Sequence, residues 1–180
     1  MALAHYPVVN RQGVTIASAV TNLDIHDIAR AGRTYGISGY YVVTPLSDQK
    51  RLVESIVSHW TDGVGAKHNP WRAEAFRLVR VCETIEDAAD RIRVREKVSP
   101  LVVATSARRH DSPVNIGFIR SKLEDVPVLL VFGTAWGLAP EFLKSADHIL
   151  EPLAVRGGYN HLSVRSAVSI ILDRLLGDGV

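Results

Sequence analysis

Residues 129–172, LLVFGTAWGLAPEFLKSADHILEPLAVRGGYNHLSVRSAVSIIL, decide the fold. The apolar run 129–132 reads as a buried strand, of the kind found inside a parallel sheet with both faces covered. It runs into Gly133-Thr134-Ala135-Trp136-Gly137, whose two glycines let backbone approach a ligand closely. Pro140 then opens a short helix, at a position where its missing N–H costs nothing. A second short strand, 148–150, stops at Pro152, and a second glycine loop spans 156–160. The closing helix is expected over 161–176. Two loops after consecutive strands, followed by a long helix, are what a ligand site at the carboxyl edge of an α/β sheet requires.

Outward from this stretch, strands and helices alternate. Residues 14–20 are apolar and β-branched and read as the first strand. A helix over 24–35 follows, with Asn22 or Asp24 as its N-cap, an inner stripe of Ile25, Ile28, Ala29, Gly32 and Tyr35, and a polar stripe of His26, Arg30 and Arg33. Gly36 ends it. Strands are expected at 39–44, 78–82 and 101–105. Ser47 or Asp48 caps a helix striped by Leu52, Ile56, Val57 and Trp60; Thr84 caps another striped by Ile85, Ala88, Ala89 and Ile92. Residues 61–71 are turn-rich, 72–76 read as a short helix, 109–115 as loop and 116–123 as helix. The whole predicts one three-layer α/β/α domain over residues 1–180, built on a mostly parallel sheet of about six strands.

Composition agrees with a folded domain: 180 residues, 47% hydrophobic, 22% charged. No run is long enough to span a membrane and no signal peptide is evident. Cys82 stands alone, so no internal disulfide can form, and a reducing cytoplasm is the expected setting. A net charge of +2 leaves any nucleic-acid binding to local patches, such as Arg72, Arg77 and Arg80, or Arg108 and Arg109. The seven histidines include no His-x-x-x-His pair, and no metal site is expected. A phosphate loop and a nucleophile elbow are both missing.

Three motifs in order, Gly133-Thr134-x-x-Gly137-Leu138, Ile149-x-x-Pro152-Leu153 and Asn160-x-Leu162-Ser163-Val164, resemble the SPOUT (trefoil-knotted) RNA methyltransferases. Asp24, Arg30 and Gly36 occupy the positions of that family's first motif, with Asp24 standing where the family has Asn and Ala31 where it has Thr. The likeness covers nearly the whole chain. It is strongest to a bacterial branch found alone or fused to a tRNA guanine-N1 methyltransferase, in which Asn69-Pro70-x-Arg72 and the run 105–108 recur. The resemblance implies a C-terminal trefoil knot, S-adenosylmethionine as cofactor, tRNA or rRNA as substrate, and a homodimer. It assigns the cofactor to Thr105, Ser106, Gly133, Thr134, Gly137, Ile149, Pro152, Leu153, Gly158, Asn160, Leu162 and Ser163, and the catalytic side to Arg30 and Asp24.

These residue types suit that chemistry. A sulfonium is an activated methyl donor, so the protein has only to bind it, align the acceptor and help a proton leave. Glycine loops present backbone amides and carbonyls to adenine, and Ile149, Leu153 and Leu162 supply apolar walls. Two rival readings stand beside this one: a SPOUT-fold RNA-binding module that has lost activity, and an unrelated α/β nucleotide-binding protein. The apolar residues of 162–176 cover more than the stripe one sheet needs, which points to burial against a second copy.

Overall fold

The computed structural model describes residues 1–154 and 159–177. Its centre is a six-stranded sheet in the order β5-β4-β1-β7-β6-β8, in which every neighbouring pair is parallel. The strands are β1 (Ala2–Ala4), β4 (Tyr40–Val43), β5 (Val79–Cys82), β6 (Leu101–Thr105), β7 (Val128–Gly133) and β8 (His148–Leu150). Two further strands, β2 (Val8–Val9) and β3 (Thr15–Ile16), form a separate antiparallel ribbon.

Successive side chains of a strand point to opposite faces, and both faces here are buried. Leu130 and Phe132 of β7 join Leu3, Tyr40 and Val42 in a core closed by α1 (Asn22–Thr34), α2 (Ser47–Thr61), α4 (Pro70–Phe76), α6 (Ile116–Lys122) and α8 (Val164–Leu176). Leu129 and Val131 point the other way, into a smaller core with Ala2, Ala4 and Tyr41 beneath α5 (Ile85–Glu96) and α7 (Pro140–Ser145). This is the expected three-layer α/β arrangement with a parallel sheet. The expected knot requires the chain after β8 to be traced through 155–158, which lie outside the described residues.

The first strand differs from its sequence reading. Residues 14–20 contribute only Thr15 and Ile16, and to the ribbon rather than the sheet. The central strand is instead Ala2–Ala4, wholly buried between β4 and β7. Its alanines fit a crowded sheet centre where a β-branched residue has less room, so propensity pointed to the wrong segment.

Local signals account for most other boundaries. Thr21, rather than Asn22 or Asp24, caps α1 by accepting from the Asp24 amide at 3.2 Å. Gly36, at φ +69°, follows its end. Thr84 and Asp87 form a reciprocal capping box at α5. Asn69 caps α4, placing Pro70 in the first turn, and the turn-rich stretch before it includes a short α3 (Val64–His68). In α2 the buried stripe runs through Val53, Ile56, Val57 and Trp60, while Leu52 faces solvent. The last helix begins at Val164, three residues later than expected, with Ser163 as its cap.

Candidate functional site

The candidate cofactor residues gather at the carboxyl ends of three adjacent strands. Gly133, Thr134 and Gly137 follow β7, Thr105 and Ser106 end β6, and Ile149 lies in β8 ahead of Pro152 and Leu153. Asn160 donates from Nδ2 to the Ala107 carbonyl at 3.2 Å, tying the loop after β8 to the loop after β6. Gly158 lies outside the described residues.

The loop after β7 is a tight turn closed by the Gly137 amide on the Thr134 carbonyl at 3.0 Å. Gly137 has φ +108° and open space where a Cβ would stand. Gly133 is glycine for a different reason: a Cβ there would sit 2.7 Å from the Leu138 amide nitrogen and 2.9 Å from Leu138 Cγ. The turn therefore folds back against its own strand end.

The hydroxyls are largely engaged with the protein. Thr105 donates to the Val131 carbonyl at 3.0 Å. Ser106 accepts from the Arg108 amide at 3.1 Å and meets His110 Nε2 at 2.9 Å. Ser163 accepts from the Ser166 amide at 3.2 Å. These bonds hold the loops and the start of the last helix in place. Half-buried Ile149, Pro152 and Leu153 and exposed Leu162 provide apolar wall.

Thr134 belongs to a network that the sequence did not reveal. Its hydroxyl donates to the Ala4 carbonyl at 3.0 Å and lies 2.6 Å from Ser18 Oγ, which in turn lies 3.0 Å from His5 Nδ1. His5 follows β1 directly and is fully buried, and its Nε2 meets no partner among the described residues. Burial pushes the imidazole pKa down to about 4, against the opposing pull of Asp24 and the Ala19 backbone. The buried hydroxyl of Tyr40 also lacks a partner among the described residues; desolvation, then the Asp24 charge, raise its pKa well above the ordinary value. The misread first strand hid His5 and Ser18. The available signal was a short apolar triplet ending in His5-Tyr6-Pro7.

Asp24 and Arg30 both lie on α1 but in different surroundings. Asp24 is buried, with Arg165 of α8 at 3.5 Å; Arg165 also reaches Asp27 at 3.5 Å. Arg165 thus joins α8 to the start of α1 through two carboxylates. The expected polar stripe divides. His26 turns inward, edge-on to Trp60 and Phe76, and Arg33 pairs with Glu74. Arg30 remains exposed with no ion pair among the described residues.

A cavity of about 500 Å³ lies at the opposite sheet edge, bordered by Met1, Gly39, Val128 and Leu175. Parallel sheets commonly hold ligands outside the carboxyl ends of their strands, which is where the turn after β7 and the Thr134 network are found.

A parallel α/β sheet with a glycine turn at its carboxyl edge, and Asn160 bonded to the neighbouring loop, is the architecture of many nucleotide-cofactor proteins. Residues 1–177 match the family model for SAM-dependent RNA methyltransferases, and the chain belongs to that family. It is 51% identical over 181 residues to the tRNA (guanine-N(1)-)-methyltransferase of Oleidesulfovibrio alaskensis, covering 99% of this chain and 42% of that protein. The chain thus spans less than half the length of that relative. An uncharacterized protein of Aquifex aeolicus is 40% identical over 177 residues, covering 97% of this chain and 86% of its own length. Among solved structures, the SpoU methyltransferase AviRb from Streptomyces viridochromogenes, in complex with the cofactor AdoMet, superposes with a TM-score of 0.58 at 16% identity, over 97% of this chain and 55% of that one. The SPOUT resemblance and the S-adenosylmethionine dependence expected from the motifs are thereby borne out.

The site suits S-adenosylmethionine. Space stands open at Gly137, and the apolar wall at Leu162 is left uncovered by protein. When bound, the cofactor supplies an activated methyl group on sulfonium. The loops after β7 and β8 would hold it through backbone groups, with Thr134 kept in place by Ser18 and Ala4.

Proposed function

We propose that the chain transfers a methyl group from S-adenosylmethionine to tRNA, at the edge formed by the loops after β6, β7 and β8. The observation that carries this reading is the turn at Thr134–Gly137, closed on itself and locked to β1 through the Thr134 hydroxyl. Gly133, Thr134, Gly137, Asn160 and the apolar residues Ile149, Leu153 and Leu162 hold the cofactor. Arg30 grips a phosphate of the acceptor strand, because its guanidinium stays charged and binds phosphate through two donors. Asp24 fixes Arg165 and the start of α1 rather than acting as free base. The tRNA assignment is supported by likeness to the Oleidesulfovibrio alaskensis tRNA (guanine-N(1)-)-methyltransferase, a longer protein of which this chain matches 42%.

The working unit is a homodimer. Most of the wide apolar surface of α8 is used within the chain: Val168, Ile171, Leu172 and Leu175 are buried in the core shared with α1, α6 and the sheet. Support for a second copy comes instead from Leu23 on α1 and Leu162 ahead of α8, which are 62% and 45% exposed. The lone, buried Cys82 fits a reducing cytoplasm, and no helix among the described residues is long and apolar enough to cross a membrane.

A second reading, an RNA-binding module without transfer activity, is favoured by one observation: Asp24, the carboxylate of the expected catalytic pair, is already paired with Arg165. Tritiated methyl transfer from S-adenosylmethionine to total tRNA and rRNA from a strain lacking the gene separates the two. Label in tRNA supports the proposal, label only in rRNA replaces its substrate, and cofactor binding without label supports the module.

A further inference from the structure

The turn after β7 is bonded to the β2–β3 ribbon on both sides of Trp136. The Trp136 amide donates to the Val9 carbonyl at 3.0 Å, and the Val9 amide donates to the Gly137 carbonyl at 2.9 Å. The Ala139 amide reaches the Pro7 carbonyl at 3.1 Å, and an isolated bridge joins Val8 to Leu138. Within the turn, Ala135 has φ +51°, a left-handed conformation that is strained for a residue with a side chain. Backbone strain of this kind persists only where the surroundings enforce it, and it concentrates at functional positions.

This rigid, strained turn leaves the Trp136 ring 54% exposed. In the turn between β2 and β3, Val14 is 57% exposed, its carbonyl accepting from the Asn10 amide at 2.9 Å. Arg11 stands at the ribbon tip, exposed and without an ion pair among the described residues. An indole held by a fixed backbone, with one side open to solvent and a cation on the neighbouring tip, fits a planar ring carrying a phosphate.

Two planar rings come near this edge, the adenine of the cofactor and a base of RNA, and the sheet order separates them. The residues that would hold the cofactor lie on β7, β6 and β8. Trp136 is tied to the ribbon on the β1 side of the turn, the side that also carries His5 and leads through the chain to Asp24. We infer that Trp136 stacks on the acceptor base of the RNA and that Arg11 takes an adjoining phosphate. Stacking on an indole tolerates any base and holds an unpaired one flat, and an arginine at the tip adds a salt-sensitive phosphate contact. The inference rests on the reading of the turn as a cofactor loop.

The test uses the full chain with total RNA from a strain lacking the gene. Ultraviolet crosslinking in the presence of S-adenosylhomocysteine, followed by peptide mapping, should place nucleotide on the tryptic peptide 123–144, which contains Trp136. In transfer assays Trp136→Ala should raise the RNA KM about tenfold or more, and Trp136→Phe should recover most of it. Calorimetric affinity for S-adenosylmethionine should stay within about twofold of wild type, and Arg11→Ala should reduce the salt dependence of RNA binding by about one phosphate contact. Unchanged RNA KM in Trp136→Ala overturns the proposal, as do crosslinks confined to the 82% exposed Trp71. Equal loss of cofactor and RNA affinity would make the indole part of the cofactor wall and also overturn it. A wild-type chain that binds RNA and crosslinks at Trp136 without transferring methyl would sink the proposed activity and sustain the stacking. Absence of RNA binding would sink both.

Discussion

Gly133→Ala is the smallest change that should damage the cofactor loop. The added methyl carbon would lie 2.7 Å from the Leu138 amide nitrogen, 2.9 Å from Leu138 Cγ and 3.0 Å from the Gly137 carbonyl carbon. Ordinary contacts begin near ~3.5 Å, so turn and strand end must part by roughly 0.8 Å. Two of the three clashing atoms are backbone, and the turn is pinned by the Trp136–Val9 and Val9–Gly137 bonds, so no side-chain rotation relieves them. Overpacking of this kind costs about 1–3 kcal/mol of stability. A displacement near 1 Å at a close-fitting site should weaken S-adenosylmethionine by about tenfold to a hundredfold, or roughly 1.4–2.8 kcal/mol. Gly137→Ala is the contrast. It meets no described atom within 4 Å, so beyond the cost of φ +108° its methyl projects into the open space proposed for the cofactor, and it should lower affinity with the fold kept. Urea unfolding and titration calorimetry on the two variants measure both quantities. A Gly133→Ala protein with wild-type midpoint and wild-type cofactor affinity would refute the reasoning.

Arg30→Ala should leave cofactor affinity intact and slow methyl transfer about tenfold, equivalent to ~1.4 kcal/mol of lost transition-state stabilisation; wild-type turnover would return Arg30 to ordinary surface. His5 predicts a pH dependence. Burial holds its folded pKa at about 4, below the ordinary histidine value of 6.5, so between those values the unfolded chain binds more protons and stability falls with falling pH. The contribution, up to ~3 kcal/mol, is fully present above pH 6.5 and lost as pH approaches 4; urea midpoints for wild type and His5→Asn should converge over that window. Sedimentation equilibrium should give a dimer at micromolar concentration, and Leu23→Glu with Leu162→Glu should give a folded monomer; a wild-type monomer would contradict the dimer.

From the first helix onward, local chemistry shows most of the fold in the sequence. Apolar runs alternate with capped helices, and Thr84 with Asp87, Asn69 with Pro70, and Gly36 mark boundaries where the structure has them. What stayed hidden depends on distant partners. Ala2–Ala4 is a central strand only because β4 and β7 enclose it, and three residues of modest β propensity carry no local sign of that. The packing of α1 and α6 on α8, which buries Val168, Ile171, Leu172 and Leu175, is likewise a matter of distant partners. In the site, the glycine turn was legible from spacing. The engagement of Thr105, Ser106 and Ser163 by the protein, and the His5–Ser18–Thr134 chain, join residues up to 116 positions apart, which no periodicity reports.

The most direct test of the site is a map of amide shifts in a 15N-labelled chain titrated with S-adenosylmethionine. The perturbed amides should cluster at 133–138, 105–107, 149–153 and 160–163, the ends of β7, β6 and β8. Saturable binding that instead perturbs Gly39, Val128 and Leu175, around the cavity at the opposite edge, would contradict the placement of the site.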